Sequence, residues 1–173
     1  MIYRELGLEE AERIREIDGG CYIHRAWREV DGTRKLVVID WTDYELPNGL
    51  SWHIEHFEMS LSNGGIAIGC FDGNILVGYS VINSDLFGSS KEYVLLDQLF
   101  VSKSYRGTGI GKELFNLSCE LARKFTAKKI YICAGSSEDT IAFYLKIGCI
   151  EATEINQELY EMDKNDYQLE YVL

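Results

Sequence analysis

The sequence predicts a single α/β domain, and three observations carry that expectation. Leu95 to Phe125 runs without a break as a strand, a glycine turn and an amphipathic helix. Two β-rich stretches fold back at Asp31-Gly32 and at Asp72-Gly73-Asn74, residue types that tight hairpin turns select. A further apolar run, Lys129 to Ala134, follows the amphipathic helix, so a helical crossover sets it parallel to the Leu95 strand.

Composition bounds the class. At 173 residues, 46% hydrophobic and 12% aromatic, the chain suits one domain spanning residues 1–173 with a sizeable core. One proline and no low-complexity tract argue against linkers. No apolar run approaches the roughly 20 residues that cross a bilayer, and MIYRELGLEE lacks a signal-peptide core, so no membrane association and a cytoplasmic location are expected. Five cysteines without a Cys-x-x-Cys pair read as reduced, buried thiols. The net charge of −11 disfavours a phosphate backbone as partner, so no nucleic acid is expected.

Taken in order, Met1 to Leu6 alternates as a short strand, and Leu8, Ala11, Ile14 and Ile17 mark one side of a helix stopped by Gly19-Gly20. Cys21 to Thr42 is a hairpin. Leu50, Ile54, Phe57 and Leu61 mark a second helix, ending at Asn63-Gly64-Gly65. Its His53 and His56 stand three apart with no His-Glu-x-x-His frame, so solvated or hydrogen-bonded roles outweigh metal ligation and no metal is expected. Ile66 to Phe71 and Ile75 to Asn83 form the second hairpin, and Ser84 to Ser90 leads as a loop into the Leu95 strand, which reads as covered on both faces. Ser136 with Asp139 three residues on starts a short helix over Thr140 to Ile147, closed by Gly148. Cys149 to Glu154 and Tyr167 to Val172 read as terminal strands around an acidic loop, Asn156 to Asn165.

The glycine turn carries the chemistry. Gly107, Gly109 and Gly111 sit at a helix start, where bare N–H groups and the helix dipole favour an anion and absent Cβ atoms let a phosphate reach the main chain. A dinucleotide fingerprint fails, because the sixth position from Gly109 is Leu114 and from Gly107 is Lys112. A mononucleotide loop fails as well, with Arg106 five before Gly111 and Glu113 after Lys112. Arg-x-x-Gly-x-Gly, Arg106 to Gly111, fits. It resembles the pyrophosphate loop of the GNAT superfamily of acetyl-CoA-dependent N-acetyltransferases; a turn without a ligand is the alternative for the hexapeptide alone.

A second stretch, Ser136 to Gly148, resembles the family pattern Asn-x-x-Ala-x-x-Phe-Tyr-x-x-x-Gly-Phe. Phe143-Tyr144 and Gly148 match, whereas Ser137 holds the usual Asn position and Cys149 the usual Phe position. The resemblance implies a mixed, mainly antiparallel central sheet flanked by helices on both faces, with acetyl-CoA as acyl donor. Its pyrophosphate would lie on Arg106, Gly107, Thr108, Gly109, Ile110, Gly111 and Lys112. The pantetheine arm would run between splayed strands along Leu99, Phe100 and Val101, with Ser137 near the arm. Tyr144 would protonate the leaving sulfur, a core aromatic being its bland alternative, and Asp97 would deprotonate the amine, pairing with a Lys or Arg being its alternative.

The acceptor expected is a small-molecule amine attacking directly in a ternary complex. Glu9, Glu10, Glu12, Asp40, Asp43, Glu45, Glu55, Glu58, Glu151 and Glu154 favour a cationic amine or basic peptide end. A non-catalytic CoA sensor is the alternative class, and a homodimer is left open.

Overall fold

A computed structural model describes the whole chain, Met1–Leu173. Seven strands form one sheet in the order β1-β4-β5-β6-β7-β9-β8. These are β1 (Ile2–Leu6), β4 (Ile66–Asp72), β5 (Ile75–Ile82), β6 (Tyr93–Val101), β7 (Lys129–Ala134), β8 (Ile150–Glu151) and β9 (Tyr167–Val172). Only β6 and β7 pair in parallel, as the crossover between them requires. The first hairpin, β2 (Cys21–Val30) with β3 (Thr33–Asp43), stands apart as its own two-stranded sheet.

Helices cover both faces because β4 and β5 are apolar on both. On one face, Ile68, Val77 and Ile82 pack with Leu114, Phe115 and Ala122 of α2 (Ile110–Lys124). On the other, Ala67, Leu76 and Val81 pack with Ile14 and with Phe57 of α1 (Leu50–Ser62). Gly78 permits the closest approach of α2 to the sheet: a Cβ there would meet Phe100 O at 3.1 Å and the Ile110 side chain at 3.2 Å.

The segment Leu8–Glu16 is a 3-10 helix and not the α-helix its amphipathicity suggests. The reason is in its spacing: Leu8, Ala11, Ile14 and Ile17 recur every three residues, which is the 3-10 period. Its ion pairs Arg13–Glu10, Arg13–Glu16 and Arg15–Glu12 are also three apart. Two other expectations change. The helix α3 (Glu138–Lys146) is capped by Ser137, whose Oγ accepts from Thr140 N–H at 3.2 Å, and not by Ser136. The acidic loop holds a short helix, α4 (Gln157–Met162), whose N-cap Asn156 accepts from Leu159 N–H at 3.1 Å.

The β7–β9 pair carries a buried carboxylate, Glu170, 1% exposed. Burial alone would raise its pKa, but the Tyr93 hydroxyl, the Thr153 N–H, Lys129 and the Thr153 hydroxyl outweigh it and hold the group down at about 2. A depressed carboxylate stabilises the fold fully above its unfolded pKa of about 4.3, and that contribution is lost as pH falls toward about 2. Glu170→Gln is expected to cost about 3 kcal/mol in urea unfolding at pH 7, with the gap to the wild type closing below pH 4.

Candidate active site

One extra residue in β6 builds the site. Val81 pairs with Gln98 and Ile82 pairs with Leu96, so Asp97 is a bulge with no partner on β5. On its other side β6 pairs with β7 only from Tyr93 to Leu95, opposite Lys129 to Tyr131. Beyond Leu95 the two strands part, leaving the edge of β6 open. Ser102 N–H donates to Val77 O at 2.9 Å, and strand alternation then turns the main-chain groups of Leu99 and Val101 to the open edge. Phe100 points its main chain at β5 instead, and its ring stacks on Tyr79 and meets the edge of His53.

At the end of β6 the glycine turn leads into α2. Gly107 and Gly109 have φ of +77° and +96°, a backbone region that L side chains rarely adopt. The first internal bond of the helix is Glu113 N–H to Gly109 O at 3.1 Å, so the N–H groups from Gly107 to Lys112 have no carbonyl partner. A Cβ at Gly107 or Gly109 would stand in open space. Thr108 Oγ1 donates to Tyr105 O at 2.6 Å and fixes the turn. Ile110 is buried and anchors it to the core, while Lys112 is exposed. Arg106 directs its guanidinium at carbonyl oxygens of Val101, Gly19 and Gly20.

Asp97 is half-buried and has no Lys or Arg partner; its Oδ2 accepts weakly from Ser60 Oγ at 3.3 Å and Gln98 Nε2 at 3.4 Å. Burial raises its pKa, against smaller lowering by His56, Gln98, Ser60 and His53. Behind it lies a network that spacing did not reveal. Tyr79 donates to Gln98 Oε1 at 2.6 Å, and Gln98 Nε2 faces His53 O at 3.3 Å. His53, 1% exposed, places Nε2 at 2.8 Å from Pro47 O, and burial lowers its pKa.

Across the gap, the β6–β7 register sets Cys133 of β7 level with Asp97. Burial first, then the charges of Asp166 and Asp97, push its thiol up to about 12, so it stays protonated. Tyr144 on α3 is 7% exposed among Phe115 and Phe143, and burial raises its phenol well above the usual value. Its hydroxyl bonds no other residue, yet Asn83 Oδ1 is the chain's one fully buried side-chain oxygen or nitrogen left unpaired; the Tyr144 hydroxyl therefore keeps an opening. Ser137 Oγ is engaged as the α3 cap and donates to Thr140 Oγ1 at 2.8 Å.

The acetyltransferase (GNAT) family profile matches residues 17–149. The chain belongs to that family. As a GNAT protein it is an acetyltransferase dependent on acetyl-CoA, and its fold is shared by solved relatives of low identity. A nourseothricin acetyltransferase is 19% identical at a TM-score of 0.70, covering 98% of this chain and 95% of its own. A protein named as a streptothricin acetyltransferase from Bacillus anthracis, in complex with acetyl coenzyme A, is 18% identical at 0.68 over 99% and 98%. The PaiA N-acetyltransferase of Thermoplasma acidophilum, with coenzyme A, is 15% identical at 0.64 over 99% and 98%.

The GNAT turn fits a pyrophosphate: its N–H groups have no carbonyl partner, and the space beside Gly107 and Gly109 is open. Gly109→Ala is expected to lower coenzyme A affinity at least about tenfold by calorimetry, because its methyl fills the cradle. Strain at φ +96° adds a cost of about 1–2 kcal/mol, read separately as a fall in Tm.

Proposed function

We propose that the protein transfers the acetyl group of acetyl-CoA to a primary amine, a small cationic amine or a basic peptide end, by direct attack in a ternary complex. One observation carries the reading: a half-buried carboxylate without a cationic partner, Asp97, stands on the bulge that opens β6. Acetyl-CoA supplies a thioester whose carbonyl carbon accepts the amine and whose sulfur departs as a thiolate.

In this reading Asp97 takes a proton from the incoming ammonium, directly or through one water. Its raised pKa makes it a better proton acceptor than a solvated carboxylate. Ser60 and Gln98 supply weak donors that keep it ionised without neutralising it as a lysine would. The open-edge N–H groups of Leu99 and Val101 hold the arm and the thioester oxygen in register. Phe100 contributes its ring, packed on His53, to the wall of the gap. Tyr144 keeps its proton through the neutral range and donates it to sulfur. A CoA sensor would have no use for that pairing of acid and base. Six successive N–H groups, Gly107 to Lys112, bind the pyrophosphate.

The acceptor side is supported by shape and by charge. A cleft of about 370 Å³ lies between the hairpin and the terminal strands, bordered by Arg34, Glu151, Tyr160, Tyr167 and Gln168. Gln168 pairs in register with Cys133, so the cleft adjoins the gap. Arg34 and Glu151 offset each other, and selection for a cation therefore rests on the field of the whole chain at −11. The PaiA N-acetyltransferase among the similar folds agrees with an amine acceptor.

Asp97→Asn is expected to lower kcat about 100-fold or more with any accepted amine. Ionised Asp97 is the active form, so the wild-type rate rises with pH through its raised pKa; the Asn variant loses that limb. Tyr144→Phe is expected to cut kcat about tenfold or more while coenzyme A affinity stays close to wild type. Full turnover in the two variants, followed by CoA release, would return both residues to structural roles.

A further inference from the structure

Arg106 begins the glycine turn, but its side chain points away from it. Nε donates to Val101 O at 3.0 Å, Nη1 to Gly20 O at 3.1 Å and Nη2 to Gly19 O at 3.0 Å. Gly19 and Gly20 are the two residues that precede β2. The same junction is closed by Lys103 N–H to Asp18 O at 2.9 Å and by Asp18 N–H to Ser102 Oγ at 3.1 Å. The entry to the hairpin is thus bound to the β6–α2 connection.

The middle of β2 is bound to the opposite wall. Trp27 N–H donates to Ser136 O at 2.8 Å, and Arg28 Nη1 donates to Ser136 Oγ at 2.5 Å. Ala26 forms a bridge with Ser137, and Arg25 pairs with Glu138 at 2.6 Å. One wall is the end of β6 and the other is the β7–α3 turn. These are the two sides of the gap, so β2 crosses it.

We propose that Arg106 is a positioning residue: by holding Gly19 and Gly20 it sets β2 as a roof over the acetyl gap, and it is not a phosphate ligand. Each of the three nitrogens of its guanidinium donates one of the group's five N–H bonds to a carbonyl oxygen, a geometry that the planar fork matches and an ammonium does not. The roof bounds the space around the thioester and keeps bulk water from it. This role is independent of which amine is acetylated. If the roof loosens, water attacks the carbonyl carbon, the C–S bond breaks, and acetate and free CoA thiol leave.

Arg106→Lys separates the two roles, since it keeps the charge and loses the fork. Amide hydrogen exchange is read at Gly20–Ile23 and Trp41–Asp43, and CoA release is read at saturating acetyl-CoA with no amine added. Both are expected to rise, exchange about tenfold and acceptor-free release at least about threefold. Arg28→Leu, which frees the roof from the far wall without touching the turn, is expected to raise the same two readings. A phosphate ligand behaves otherwise: Arg106→Gln loses coenzyme A affinity, Arg106→Lys largely keeps it, and the roof is undisturbed. Wild-type exchange or wild-type acceptor-free release in Arg106→Lys overturns the proposal.

Discussion

Asp97 is one residue more than β5 can pair, and much of the site follows from that excess. A bulge increases local twist and bends its strand, so β6 leaves β7 after three paired residues and its far edge stays bare. The cost is a row of main-chain groups without a strand partner at Leu99 and Val101, of which only the Val101 carbonyl finds a side-chain donor, Arg106. In the proposed reading, the extended arm of the cofactor takes the place of that strand. The same bend lifts the Asp97 carboxylate toward α1, where Ser60 meets it. A strand edge, a half-buried carboxylate and a gap therefore share one cause.

Holding an extra residue in place requires a rigid backing. Gln98, next to the bulge, is pinned by the Tyr79 hydroxyl and by the His53 main chain, and His53 is pinned in turn to Pro47. Tyr79, Gln98 and His53 are buried, so each must keep its partner or forfeit about 1–3 kcal/mol of desolvation. The network thereby fixes where α1 sits against β6. Burial also raises the Asp97 carboxyl and the Tyr144 phenol, so the phenol holds its proton through the neutral range.

The glycine turn was legible in the sequence because its signal is local: three glycines at every second position before an amphipathic helix. The hairpins at Asp31-Gly32 and Asp72-Gly73 were legible for the same reason, as was the parallel strand after the crossover. The bulge was not, since Asp97 is surplus only relative to β5, and register is a property of two strands. Nor was the use of Arg106, whose partners Gly19 and Gly20 lie more than 80 residues away. The 3-10 helix was legible too, since Leu8, Ala11, Ile14 and Ile17 are spaced by threes. Ser137 belongs to a third kind: it holds the motif's Asn position, and its hydroxyl is engaged as the α3 cap, which three-residue spacing from Thr140 alone did not single out.

The open edge of β6 is the premise on which the proposed cofactor arm, base and roof all depend. Amide hydrogen exchange at Leu99 and Val101, without and with saturating coenzyme A, tests it most directly. An open edge exchanges fast in the free protein, while Gln98 and Phe100, paired to β5, are protected; coenzyme A then slows Leu99 and Val101 by about tenfold or more. Leu99 and Val101 already protected in the free protein, or unchanged by the ligand, would contradict a bulge that opens the strand for the cofactor arm.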